Sequence, residues 1–209
     1  MDLSDAIKGR RSIRRFKPDP VPRSDIEKMV HAASLAPSGG NLQPWRFLAV
    51  TDSECRDQMV TIIHDEGIAF FSSILEEVPP RLILPSLVFS KAPLVFVVLV
   101  AHFLLERDEF FSEFQRQHNI QGAAVERYGG FVSAQGGGAA IQNLLLTAYA
   151  LGYGSCWLRI PYYAKDRLEE FLNVEKPWEI LALVPVGIPD HSPTPPPRKP
   201  VDEILAHVE

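Results

Sequence analysis

Within five residues, Arg10, Arg11, Ser12 and Arg14 supply three guanidinium forks and a hydroxyl, in the run RRSIRRF at 10–16. That set suits a phosphate, whose oxygens accept paired, charge-assisted hydrogen bonds from arginine. A solvated basic turn would have the same composition, so the run by itself leaves both readings open. A second polar cluster lies in APSGGNLQPW at 36–45. Gly39 and Gly40 allow a planar ligand to approach the backbone, because no Cβ intervenes. Asn41 and Gln43 each offer a donor and an acceptor, which suits a ring edge that presents both. The alternative is a self-sufficient turn, with Ser38 and Asn41 bonding their own backbone. A third feature stands apart: Arg198 is the one arginine in the Pro-rich stretch PDHSPTPPPRKPVDEIL at 189–205.

The totals narrow the classes. A chain of 209 residues, 46% hydrophobic and 22% charged, is expected to form a single domain around a sizeable core. A net charge of −5 argues against a nucleic-acid partner, which needs a broad basic face. The basic residues at 8–17 (Lys8, Arg10, Arg11, Arg14, Arg15 and Lys17) fit a small anion better. Two cysteines, Cys55 and Cys156, are too few for a disulfide framework and point to a reducing compartment. The longest apolar run, APLVFVVLVA at 92–101, is too short to span a membrane and reads as a buried strand. With no signal peptide at the N-terminus, the expectation is a soluble cytoplasmic protein. The histidines lack metal-ligand spacing, so no metal is expected. GGG at 136–138 lacks the spacing of a dinucleotide fingerprint and reads as close helix packing.

The elements that must position these residues follow from periodicity. Asp2 to Gly9 reads as a short helix that delivers the basic run. Ser24 and Glu27 form a capping-box pattern, and Ile26, Met29, Val30 and Ala33 recur on one face, predicting a helix over 24–36. A strand is expected at 45–51, a helix at 53–64, a loosely helical stretch at 66–90 and a strand at 93–101. The segment 102–131, rich in charge and phenylalanine, reads as a helical excursion or a cover. Ile141, Leu144, Leu145, Ala148 and Leu151 mark a long helix over 133–151, ended by Gly152. A glycine-opened strand at 152–160, a helix at 163–172 and a strand at 179–188 complete the body. The tail beyond is extended, since proline cannot continue a helix. The sum is an α+β fold, a few-stranded sheet covered by helices, and such a tail can leave its own body and pack on a second copy.

Five stretches, in this order, resemble the FMN-dependent nitroreductase family: RRSIRRF, APSGGNLQPW, KAPLVFVVL, AAIQNLLLTAYALGYGSCW and PVGIPD followed by RKPVDEIL. The resemblance covers nearly the whole chain. It implies a helix-covered mixed or antiparallel sheet with a C-terminal arm exchanged in a homodimer, and two FMN sites at the interface. Arg10, Arg11, Ser12 and Arg14 would face the phosphate, ribityl and pyrimidine side, and Arg14 would stand near N1 and O2. Pro37, Ser38, Gly39, Asn41 and Gln43 would come from the other subunit. Trp157, Leu158, Arg159 and Ile160 would run beside the isoalloxazine with a backbone N–H near N5, and Arg198 would reach the phosphate.

The implied activity is ping-pong transfer from NADH or NADPH to a small oxidant such as a quinone or nitroaromatic, with the flavin carrying the chemistry and no catalytic side chain required. A specialised flavin branch (dehalogenation, dehydrogenation or oxygen-dependent flavin breakdown) and a flavin-binding protein without turnover are the alternatives. Three positions depart from the family's pattern. Arg159 and Ile160 stand where two small residues are common, Pro196 where a second cation is common, and Gly136 where an acid is common.

Overall fold

The stretch LVFVVLVA is apolar at every position, which a strand tolerates only when both of its faces are covered. The structure, a computed structural model, describes residues 2–101, 113, 116–118 and 123–208, with 123–131 as backbone only. In it this stretch forms β2 (Leu94–Ala101), buried throughout. On one side β2 pairs antiparallel with β1 (Trp45–Val50), Trp45 opposite Val100 and Val50 opposite Val95. On the other it pairs antiparallel with β5 (Trp178–Gly187), with a register shift between Val98 and Leu99. Beyond β5 lie β3 (Gly154–Ser155) and β4 (Leu158–Arg159), giving the order β1-β2-β5-β3 with β4 also on β5. All these strand pairings are antiparallel, and a single Ser12–Ser155 bridge adds a parallel contact.

Alternation along β2 sends its side chains to two cores. Leu94, Phe96 and Val98 pack with Met29 and Ala33 of α2 (Arg23–Ser34) and with Ile141, Leu144 and Ala148 of α4 (Ala123–Ala150). Val95, Val97 and Leu99 pack on the opposite face with Met59 and Ile63 of α3 (Ser53–Ser72) and Leu168 of α5 (Lys165–Phe171). Burying each such side chain stabilises the fold by about 1.5–3 kcal/mol, so the two-sided strand is its anchor. The α+β architecture with helices on both faces is as the sequence implies.

The glycine triplet does bring α4 close to the sheet. A Cβ at Gly137 would lie 2.6 Å from Leu181 Cδ2 and 2.7 Å from Val100 Cγ1.

Several local expectations are corrected. The capping box at Ser24 does not form: α2 starts at Arg23 with Pro22 at its N-cap and no side-chain cap. Proline lacks an N–H, yet an N-cap contributes its carbonyl, which here accepts from the Asp25 and Ile26 amides. Glu27 pairs with Arg23 Nε at 2.8 Å instead. The helix begun at 53 runs on to Ser72, past Gly67, where a Cβ would lie tight against Ile83 Cγ1 at 3.1 Å and Tyr163 at 3.2 Å. Short 3-10 turns at Pro80–Leu82 and Leu84–Leu87 follow it. The long helix is already formed at Ala123, ten residues before the expected start at 133. The strand expected at 152–160 is broken into β3 and β4, with Cys156 and Trp157 between them. The helix expected at 163–172 is a 3-10 turn at Tyr162–Ala164 leading into α5. The stretch expected as a cover at 102–131 falls largely outside the described residues.

Candidate functional site

The basic run is placed by what lies between its arginines. After α1 (Leu3–Gly9) the chain is extended, and the Ile13 amide donates to the Ser155 carbonyl at 2.9 Å. Farther on, the Lys17 amide donates to the Ile188 carbonyl at 2.9 Å, and the Asp190 amide to the Arg15 carbonyl at 3.1 Å. Ile13 and Phe16 are buried, which turns Arg14 and Arg15 outward. Gly154 makes room for this docking, since a Cβ there would lie 2.6 Å from Ile13 Cγ1. The N-terminal segment is thereby laid against β3 and against the root of the C-terminal tail.

A cleft of about 300 Å³ results, walled by Arg10, Arg11, Ser12 and Arg14 on one side and by Pro193, Thr194, Pro196 and Arg198 on the other. Among the described residues, no acid lines it. Arg11 is partly committed elsewhere, its Nη1 donating to the Lys8 carbonyl at 2.6 Å and the Arg10 carbonyl at 2.7 Å. There it neutralises carbonyls at the end of α1. The guanidinium groups of Arg10, Arg14 and Arg198 have no partner among the described residues. Three unpaired forks and a hydroxyl around one cleft make a receptor for a doubly charged oxyanion. The cluster reaches the buried Cys156 as well. Burial pushes that thiol's pKa up, opposed by the charge of Arg14, a hydrogen bond from Ser12 and the charge of Arg10.

The turn at 36–45 is organised differently. Ser38 Oγ accepts from the Gln43 amide at 2.9 Å, and its carbonyl accepts from the Asn41 amide at 3.0 Å. Gly40, Asn41 and Gln43 all have positive φ, at 58°, 56° and 49°. For glutamine that conformation is strained. Ser38 thus serves the turn itself, while the amide side chains of Asn41 and Gln43 stay exposed. Gly39 faces Val132 of α4.

Along 157–160 exposure alternates: Trp157 and Arg159 are exposed, Leu158 half-buried and Ile160 buried. Trp157 lies over Gly138, where a Cβ would meet its Cη2 at 3.2 Å. Among the described residues β4 pairs with β5 alone, so its outer backbone edge is open to a ligand.

The structure therefore gathers Arg10, Arg11, Ser12, Arg14 and Arg198 around one cleft. Neither the 36–45 turn nor 157–160 is part of its lining within the single chain. Sequence reasoning missed Pro193 and Thr194 as wall residues, and missed Cys156 beside Ser12. Their positions flanking known candidates were the available signal. Pro196, where a second cation was absent, proves to line the cleft. At a further unusual position, Gly136, a Cβ would touch Trp45 and Pro44 at ordinary contact distances of 3.5 and 3.6 Å. A larger groove of about 920 Å³ lies elsewhere, between α2 and the free edge of β1, lined by apolar residues such as Val21, Ile26, Val30, Phe47 and Ala49. Of its arginines, Arg23 is paired with Glu27, which also lines the groove, and Arg56 Nε donates to the Ser90 carbonyl, so its size does not make it the anion site.

A model of the Nitroreductase family matches residues 7–188. The chain belongs to that family. Among other Nitroreductase family proteins and related structures, it is 29% identical over 208 residues to an NADH dehydrogenase of Thermus thermophilus, covering 98% of this chain and 95% of that protein. The crystal structure of a BluB-like flavoprotein from Clostridium difficile superposes with a TM-score of 0.85 at 27% identity, over the full length of both chains. That of an oxidised iodotyrosine deiodinase bound to FMN and 3-iodo-L-tyrosine superposes with a TM-score of 0.72 at 25% identity, over 100% of this chain and 99% of the other. No helix among the described residues is long and apolar enough to cross a membrane.

Proposed function

We propose that this chain is an FMN-dependent oxidoreductase that works as a homodimer. It takes electrons from NADH or NADPH and reduces nitroaromatics, quinones or similar small oxidants by a ping-pong cycle. The observation that carries the reading is the convergence of Arg10, Arg14 and Arg198, unpaired among the described residues, with Ser12 on a cleft that no described acid lines. A phosphomonoester fits that donor set, and the FMN held by the related deiodinase structure ends in one.

On this reading Arg10, Ser12 and Arg198 hold the phosphate, while Arg14 sits nearer the pyrimidine and favours negative charge there. Arg11 braces the end of α1 and adds its field to the same cleft. Trp157, Leu158, Arg159 and Ile160 flank the ring, with the open edge of β4 offering a backbone N–H. The partner's Pro37, Ser38, Gly39, Asn41 and Gln43 close the other wall, which accords with their separation from the cleft within one chain. When bound, the flavin supplies the redox chemistry, accepting hydride from the nicotinamide and passing it to the oxidant. The protein's part is to hold the ring so that a donor carbon can settle about 3–3.5 Å from it.

The groove between α2 and β1 supports the dimer. Val201, Ile204, Leu205 and Val208 of the tail are exposed, and an apolar groove of that size is a seat for such an arm from a second copy.

The deciding experiment is anaerobic stopped-flow on the flavin-loaded protein, mixed with NADH or NADPH. Rapid bleaching, then reoxidation by a quinone or nitroaromatic, is the expected result. A flavin that stays oxidised with both nucleotides would falsify the reductase reading. A second reading, a specialised branch using the same flavin for dehalogenation or oxygen chemistry, draws on the likeness to the deiodinase and the BluB-like flavoprotein. Release of iodide from 3-iodo-L-tyrosine, or consumption of the flavin itself under oxygen, would favour it.

A further inference from the structure

We propose that Trp157 and Arg159 form a recognition pair for the acceptor, selecting an aromatic ring that carries an anionic substituent such as a carboxylate. The proposal rests on the flavin reading above and names the substrate class of that site.

The alternation of exposure over 157–160 sends the Trp157 and Arg159 side chains to one side and Leu158 and Ile160 to the other. At two residues of strand rise, the Cα atoms of Trp157 and Arg159 stand about 7 Å apart. That spacing lets an aromatic ring rest on the indole while its substituent meets the guanidinium.

Neither side chain is loosely placed. Leu158 and Ile160 belong to the second core, and β4 is in register with β5, Leu158 opposite Leu183 and Arg159 opposite Ala182. The indole is 43% exposed and backed by Gly138, where no side chain competes for the space. Arg159 is exposed and has no hydrogen-bond or ion-pair partner among the described residues, so its fork is open to a carboxylate.

The two segments nearest the pair carry charge of one sign along the sequence. Residues 152–160 and 10–17 contain no acid, and the fields of Arg14 and Arg10 already reach Cys156, next to Trp157. Such a setting raises the local concentration of anions and disfavours cationic acceptors. A neutral nitroaromatic would gain only the stacking, and an aliphatic anion only the charge.

The test uses two ligands of nearly equal shape, 4-nitrobenzoate and 4-nitrobenzamide, titrated into the FMN-loaded oxidised protein while the flavin absorbance is followed. The benzoate is expected to bind about tenfold tighter at low ionic strength, with the ratio shrinking as salt rises. Arg159→Gln should bring the ratio close to one, and Arg159→Lys should retain part of it as a point charge without the fork. Trp157→Leu should weaken both ligands together and leave the ratio standing. Equal affinities in the unmodified protein, or a preference that survives in R159Q, overturn the proposal. Because the titration needs no reductant, failure of nicotinamide to bleach the flavin leaves it readable. A protein that takes up no flavin sinks both this inference and the reading beneath it, whereas a flavin-loaded protein with a ratio of one sinks this inference alone.

Discussion

The basic cleft and the 36–45 turn are both polar and both depend on glycine, yet they dispose of their hydrogen-bonding groups in opposite ways. In the turn, Ser38 is used up by the Gln43 amide and the backbone closes on itself, at the expense of left-handed φ at Asn41 and Gln43. In the cleft, the backbone is fixed by partners far along the chain, and three guanidinium groups are left over. A segment held by distant contacts can leave its side chains unpaired without losing shape. A segment held by its own side chains cannot. The cleft is therefore preorganised for a ligand by its scaffold, and the turn by its own bonding.

Substitutions can break or sharpen that contrast. The largest effect is expected from Gly154→Ala, because its Cβ would collide with the Cγ1, Cβ and Cγ2 of Ile13, and the last two have little freedom to move. Overpacking of this kind should lower stability by about 3 kcal/mol, read as a fall in the urea midpoint, with weaker FMN retention beside it. An unchanged midpoint would show that Ile13 is not held against β3. Arg198→Ala comes next. Loss of one charge-assisted contact should raise the FMN dissociation constant about 30-fold and leave unfolding of the flavin-free chain unchanged; equal affinity would remove Arg198 from the site. In the turn, Ser38→Ala should cost about 0.5 kcal/mol, since water can serve the exposed Gln43 amide in its place. A loss several times larger would mean that the turn supports more of the fold than its own bonds suggest.

The smallest effect tests the link between the two regions. Tyr153, at the root of β3, donates to Asp25 Oδ2 at 2.8 Å on α2, the helix that leads into the turn. Hydrogen bonds from Lys28 and then Tyr153 hold the Asp25 pKa below its ordinary value. A depressed carboxylate stabilises the fold above its unfolded pKa, and that contribution is lost as pH falls through the folded value. Tyr153→Phe should therefore raise the Asp25 pKa, and its melting temperature should approach that of the unmodified protein below about pH 4. A stability difference constant across that range would place the effect in packing instead.

The parts of the fold that were legible in the sequence are those set by burial of side chains on regular elements. Ile141, Leu144, Leu145 and Ala148 announced a helix, and the unbroken apolar run at 94–101 announced a strand covered on both sides. Boundaries set by backbone chemistry were not legible. The carbonyl of Pro22 starts α2 where Ser24 seemed the better cap, and α4 is already formed at Ala123, well before its apolar stripe begins at Ile141. The break at Cys156–Trp157 lies in a stretch whose composition suits an unbroken strand. At the site, the basic run could be read as a phosphate receptor, but nothing local in the sequence brings Arg198 beside Arg10. Only the family resemblance anticipated that pairing. The physical cause is the pair of backbone bonds joining Arg15 and Lys17 to Asp190 and Ile188.

Those same bonds set the order in which the molecule can be completed. Ser12 meets Ser155, Lys17 meets Ile188, and Arg10 faces Arg198, so the segment at 10–17 must wait for residues far later in the chain. Contacts so distant in sequence form late, because the intervening chain must first be ordered. A nascent chain can assemble the hairpin of β1 and β2 well before β5 exists, yet its anion cleft has only one wall until the tail emerges. The cleft is thus complete only once the tail is in place, and a chain truncated before residue 188 would lose it while keeping much of the apolar surface that drives aggregation.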